Sequence, residues 1–325
     1  MSKHKLYVML GLIAIVVAFT VTPPCVAQTQ STCSADQRKE FVLTAVDKDG
    51  NVVDKLQAGH LSLKIGGAPA TISDVVFQTK PPLDLAVLID ASVSQEGVLS
   101  TTKASARAFV ASVPTAGQDR IAVVSFSDKP NYVQPLTSDF SGIAAVIDDI
   151  KLDVPPGYVG GGVVMSPGPP PKPGPMAGST SLWDTIATAT ATVFGDKSEK
   201  RRRAVLLFTD GVDTTSSGKF NAIIEEAIRR GVAVFSLGLA DEKTFQLVDE
   251  QALKKRSEQT GGIAEFPGKK KEKLEAALTE IARHLRGNYV VGYCGGAAKD
   301  RAKLQLEVVD PEMRKANPVL AYRRY

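Results

Sequence analysis

Histidine and cysteine are both scarce in this 325-residue chain, with three of each. His4 lies in an N-terminal apolar leader, His60 in a strand-rich flank and His284 on a late helical stretch. A zinc centre or a Ser-His-Asp arrangement therefore lacks its parts. There is no Gly-x-Ser-x-Gly elbow and no Walker-type phosphate loop. Charge of one sign is also missing, since the formal net charge is +4. It falls to +2 when the leader leaves with Lys3, Lys5 and no acid. The basic runs Lys200 to Arg203, Lys254 to Arg256 and Lys269 to Lys271 have no interleaved aromatics. They read as solvated faces, and a nucleic-acid partner is excluded.

Long apolar runs are limited to one. Lys3 and Lys5 precede an apolar stretch from Val8 to Val21, and Cys25-Val26-Ala27 offers a small-residue cleavage site. Residues 1–27 read as a secretory signal, too short and too soon interrupted by Pro23-Pro24 for a spanning helix. An uncleaved anchor and a lipidated Cys25 are the competing readings. No second membrane segment follows, so no stable membrane span is expected after signal removal. The mature protein is expected to be secreted, periplasmic or on the cell surface. Cys33 and Cys294 then remain, one near each end, and in an exported chain such a pair invites a disulfide. Closing so long a loop removes roughly 4–5 kcal/mol of unfolded-chain entropy in the simple model.

The richest stretch is Leu85-Ala86-Val87-Leu88-Ile89-Asp90-Ala91-Ser92-Val93-Ser94. An apolar run with the look of a buried parallel strand ends in an acid and two hydroxyls. In open α/β sheets ligands bind at the carboxyl ends of strands. Three hard oxygens on one short loop suit Mg²⁺. Helix capping by Ser92 or Ser94 is the competing reading. A second strand, Ala204 to Thr209, ends in Asp210-Gly211-Val212-Asp213, and Ser179-Thr180-Ser181 opens a helix between the two.

Repeated strand–helix alternation predicts a doubly wound, mainly parallel α/β sheet. Strands are expected at 84–89, 121–127, 204–209, 232–239 and 262–266. Helices are expected at 95–113, 140–152, 181–194, 220–230, 244–258 and 271–285. Residues 155–178 are rich in Gly and Pro and form an insertion leading into Thr180, read as a specificity loop, as a short linear ligand displayed for a partner, or as a tolerated surface insertion. Both flanks read as strands: 41–46, 61–65 and 70–76 before the α/β region, and 288–293, 303–309 and 319–322 after it. Neither flank suffices alone, so 28–80 and 287–325 are expected to join as one small β-sandwich into which 81–286 is inserted.

The set Asp90, Ser92, Ser94, Thr180 and Asp210 resembles the metal-ion-dependent adhesion site of the von Willebrand factor A family. The match runs from about Pro82 to Arg286. The resemblance implies that Ser92, Ser94 and Thr180 touch the metal, with Asp90 and Asp210 acting directly or through water. Asp213 and Asp184 are candidate supporting carboxylates, a loop charge and a helix-start charge being the ordinary alternatives. The Asp47-Lys48-Asp49-Gly50 turn, Pro81-Pro82-Leu83-Asp84 and Tyr322-Arg323-Arg324-Tyr325 resemble the secreted bacterial subgroup of that family. The reading is an exported, non-enzymatic binding module of adhesion type. Its Mg²⁺ (Mn²⁺ or Ca²⁺ being the other candidates) takes an exposed Asp or Glu from a partner protein. The alternatives are a structural or assembly protein of the cell envelope and a Mg²⁺-dependent hydrolase.

Overall fold

In the computed structural model the described residues are 37–47, 52–115, 117–165, 179–195, 201–218, 220–241, 247–295 and 304–322. The leader, Cys33, the Asp47 to Gly50 turn beyond Asp47, most of the Pro-rich insertion and the start of the helix expected from Thr244 lie outside them. In chain order the strands and helices are β1 Lys39–Val46, β2 Leu61–Ile65, β3 Ala68–Gln78, β4 Leu83–Asp90, α1 Leu99–Ser112, β5 Arg120–Phe126 and β6 Pro130–Thr137. There follow α2 Ile143–Asp148, β7 Tyr158–Gly160, β8 Val163–Val164, α3 Leu182–Phe194, β9 Arg202–Thr209, α4 Phe220–Arg229 and β10 Val232–Gly238. The last are α5 Glu250–Thr260, β11 Ala264–Glu265, α6 Lys271–Arg286, β12 Asn288–Cys294, β13 Leu304–Val308, α7 Pro311–Lys315 and β14 Val319–Tyr322.

Strand β4 is the centre of a six-stranded sheet ordered β11-β10-β9-β4-β5-β6, parallel except for β6. Every residue of β4 is buried, which is why its sequence is continuously apolar between two acids. The period of two divides its side chains between two cores. Leu85, Val87 and Ile89 pack with Phe109 of α1 and Ile281 of α6. Ala86 and Leu88 pack with Leu182 and Ile186 of α3 on the opposite face. A mainly parallel sheet covered by helices on both faces is thus observed as expected.

Local differences have local causes. The edge strand β6 escapes sequence reading because Pro130 and Pro135 sit inside it, a pattern tolerated only at sheet edges. The first helix starts at Leu99, not Gln95, because residues 93–95 form a tight 3₁₀ turn. The helix expected over 140–152 shortens to 143–148, and the strand expected over 262–266 pairs only at two residues.

The two flanks combine as expected, but as one curled sheet and not as two stacked layers. Its order is β13-β2-β3-β12-β1-β14. Strand β3 is long enough to pair with β2 at one end and with β12 along the rest. The hydroxyl of Tyr322 in β14 accepts from Leu306 N of β13 at 3.3 Å, bringing the two edges together. Closure of this kind makes the sheet barrel-like, around Phe41, Leu43, Leu63, Tyr289, Val291 and Tyr293. Cys294, at the end of β12, is disulfide-bonded.

The amino end of the α/β sheet is held by buried ion pairs. Asp84, at the head of β4, accepts from Arg120 Nε at 2.8 Å and from Arg201 Nε at 2.7 Å. Asp119 accepts from Leu83 N at 2.8 Å, Thr115 N at 2.5 Å and Arg286 Nη2 at 2.6 Å. Arg201 to Arg203, the described part of the Lys200 to Arg203 run, are therefore not the solvated face that composition suggests. Arg202 and Arg203 are only 3% and 2% exposed.

Asp119→Ala leaves Arg286 and two backbone amides without their shared acceptor. We expect a loss of about 3–5 kcal/mol in unfolding free energy, measured by urea titration. A loss within error of zero would show that water replaces the carboxylate.

Candidate metal site at the carboxyl edge of the sheet

Asp90 is the last residue of β4 and Asp210 the first after β9, so parallel pairing of these strands brings two carboxylates to one edge. Both are buried, at 0% and 1% exposure. Asp90 Oδ1 accepts from Ser92 N at 3.0 Å and from Ser92 Oγ at 2.7 Å, and Oδ2 accepts from Thr209 Oγ1 at 2.5 Å. Asp210 accepts from Gln95 Nε2 at 3.0 Å and from Val212 N at 3.0 Å. Gly211 follows with φ +84°, a turn that carries the chain away beneath Leu253; a Cβ there would lie 2.7 Å from Leu253 Cγ.

The hydroxyls form a relay toward the carboxylate. Ser92 donates to Asp90, and Ser94 donates to Ser92 Oγ across 3.1 Å, which leaves lone pairs on both oxygens free to face a cation. That separation is close to the edge of an octahedron with metal–oxygen bonds of about 2.0–2.1 Å, which is roughly 3 Å. The capping alternative is not what the fold uses. Ser92 makes no side-chain cap bond, and α1 is preceded by Val98, which makes none either.

Thr180 is 4% exposed and tied to the loop after β9. Its N donates to Thr214 Oγ1 at 2.8 Å, and its carbonyl accepts from Thr214 N at 2.9 Å. The two supporting acids clasp the same loop to α3. Asp213 Oδ1 accepts from Leu182 N at 2.9 Å, at the helix start, and from Ser216 Oγ at 2.7 Å. Asp184 accepts from Ser217 N and Gly218 N, each at 2.9 Å. Burial works against the Asp184 charge, yet these amide donors hold its carboxyl below the usual range. Neither acid bonds to Asp90 or Asp210; both hold the backbone on which Thr180 sits.

Two participants, Gln95 and Glu96, carried no readable signal. Gln95, 1% exposed, orients Asp210, and Thr209 orients Asp90. Glu96 reaches the other way: its Oε2 accepts from Tyr158 Oη at 2.7 Å and from Gly161 N at 2.8 Å, pinning the β7–β8 hairpin to the loop.

No lysine or arginine pairs with Asp90 or Asp210 among the described residues. Burial, and then the neighbouring Asp210 charge, push Asp90 up to about 7. Burial likewise raises Asp210. Two desolvated acids beside two proton-committed hydroxyls are a donor set of hard oxygens that fits a small divalent cation.

Residues 85–212 match the model of the von Willebrand factor type A domain. That segment, and not the whole chain, is what is similar in sequence to a von Willebrand factor type A domain. No curated protein matches the sequence. Among solved structures, proximal thread matrix protein 1 from the mussel byssus, with a zinc-occupied MIDAS motif, is 17% identical with a TM-score of 0.50. The alignment covers 66% of this chain and 49% of that one. The chain thus spans about half the length of the mussel protein, and the likeness at this identity is one of fold. A von Willebrand factor type A structure from Catenulispora acidiphila aligns over 86% of this chain and 72% of its own, at 12% identity and a TM-score of 0.46.

The raised acids set a pH dependence. Folded Asp90 binds its proton up to about 7, whereas the unfolded side chain releases it near 3.8. Between these values the native state holds more protons than the unfolded state, so metal-free stability falls as pH rises from about 4 to 7. Melting curves over that range check it: wild type should lose stability as pH rises and Asp90→Asn should lose less, and a wild-type curve that is flat or rising would overturn it.

Proposed function

We propose that Asp90, Ser92, Ser94, Thr180 and Asp210 hold a Mg²⁺ ion and that the domain is an exported, cation-dependent protein-binding module. When bound, the ion supplies a Lewis-acid position for an Asp or Glu carboxylate of a partner protein. The observation carrying this is the pair of buried acids with no protein cation beside them, fronted by two hydroxyls whose protons are already committed. The family match and the zinc-occupied motif of the mussel protein support the reading. Catalysis is no part of it: the two serines serve as ligands, and neither has a histidine or lysine base among its hydrogen-bond partners.

Selectivity belongs to the surrounding loops in this reading. The β7–β8 hairpin, pinned by Glu96, lies at the start of the Gly- and Pro-rich insertion. Val154, Val159, Val163, Val164 and Met165 are five of the eight large apolar side chains exposed among the described residues. Such clustering beside a metal loop suits recognition of apolar surface next to the partner's acid.

Export rests on the leader-like residues 1–27 and on the disulfide at Cys294, a bond that persists in oxidising compartments. Among the described residues no helix is long and apolar enough to cross a membrane. We assign the partner cysteine as Cys33, which makes 28–80 and 287–325 one covalently closed unit around the inserted 81–286.

Calorimetric titration of Mg²⁺ into metal-stripped protein is expected to show one saturable site, lost in Asp90→Ala with the fold retained. Unchanged affinity in the variant, or its collapse, would count against the site. For the disulfide, Cys33→Ser should free Cys294 for maleimide labelling under non-reducing denaturation; continued protection of Cys294 would point to Cys25.

A further inference from the structure

Arg202 stands at the seam between the barrel and the α/β sheet, with its backbone N bonded to Pro82 O at 2.8 Å. The residue is 3% exposed, and its guanidinium has a single partner among the described residues, Thr44 Oγ1 of β1, reached by Nη1 at 2.5 Å. The other two donor nitrogens, Nε and Nη2, are buried and bond to nothing among the described residues. They border a cavity of about 10 Å³ lined by Val42, Thr44, Ile228, Val232, Thr260 and Tyr322, with Gly231 completing the wall. No carboxylate lines it. Burial alone lowers the Arg202 pKa, to about 10, so the group stays charged at neutral pH. A buried cation without a counter-charge is strongly disfavoured, and two orphaned N–H groups add to the cost.

We propose that this cavity is a halide site, in which a chloride ion accepts from Nε and Nη2 of Arg202. The size decides the class of ligand. About 10 Å³ admits one water-sized body, so a carboxylate, phosphate or sulfate does not enter. Water would satisfy the donors but leave the charge; a monatomic anion does both. Thr44 accepts from Nη1 and keeps its own hydroxyl proton, available to the same occupant. Val42 and Ile228, both only partly buried, supply the give that an ion slightly larger than water needs. The bound ion would join β1 and β14 of the barrel to β9, α4 and β10 of the α/β layer.

The test uses the whole mature protein at constant ionic strength and fixed magnesium acetate, with sodium chloride exchanged for sodium gluconate. The expected result is a saturable rise in melting temperature of a few degrees with chloride. The rise should vanish in Arg202→Met and shrink in Thr44→Val, while Asp90→Ala keeps it in full. If Arg202→Met fails to fold, Thr44→Val carries the comparison. Crystals soaked in sodium bromide should show an anomalous peak within hydrogen-bonding reach of Nε and Nη2. Equal melting in both salts, or a bromide soak with only a water in the cavity, overturns the proposal.

Discussion

One strand carries two buried acids, and the molecule treats them oppositely. Asp84, at the head of β4, is clasped by Arg120 and Arg201. Asp90, at its end, meets only hydroxyls, an amide and a second carboxylate. Because β4 is buried on both faces between β9 and β5, neither acid can turn to solvent. The first is neutralised by the protein and acts as an anchor. The second is left to be neutralised by something the protein does not supply, and that asymmetry makes one end of the sheet structural and the other functional.

The rest of the edge can be understood as support for that exposed need. Described loops at the carboxyl end are tied to one another: the Asp210 carbonyl accepts from Asp249 N at 2.8 Å, and the Ala91 carbonyl from Asp153 N at 2.8 Å. Asp213 and Asp184 hold the loop after β9 against the start of α3, and Thr180 is carried along. The hydroxyls are thus positioned in advance of any cation, which lowers the ordering cost of binding one.

Much of this was legible in the chain. A continuous apolar run ending in Asp-x-Ser-x-Ser has few structural meanings, and a parallel sheet brings Asp210 to Asp90 once β9 and β4 are recognised as neighbours. Asp213 and Asp184 were legible as helpers but not in their manner of helping, because which amide a carboxylate caps depends on loop geometry. Gln95 and Glu96 were illegible: a glutamine and a glutamate after a serine look like the first turn of a solvated helix. The strand β6 hid behind two prolines that only an edge position accommodates.

The basic run at Lys200 to Arg203 failed for a more instructive reason. Charge runs are solvated on isolated faces, but here β9 begins where two sheets meet, and Arg202 at its head is turned into that seam. Arg201 finds Asp84; Arg202 finds a threonine and a cavity. A local pattern cannot reveal this, since the burial is created by strands from both ends of the chain, β1 and β14, closing over the start of β9. The same closure that completes the barrel across Tyr322 desolvates Arg202 beneath it. The two ends of the α/β sheet therefore pose complementary problems: an excess of buried negative charge at the carboxyl edge, and an uncompensated positive charge at the amino edge. A small ion of the opposite sign would relieve each, and neither ion could substitute for the other.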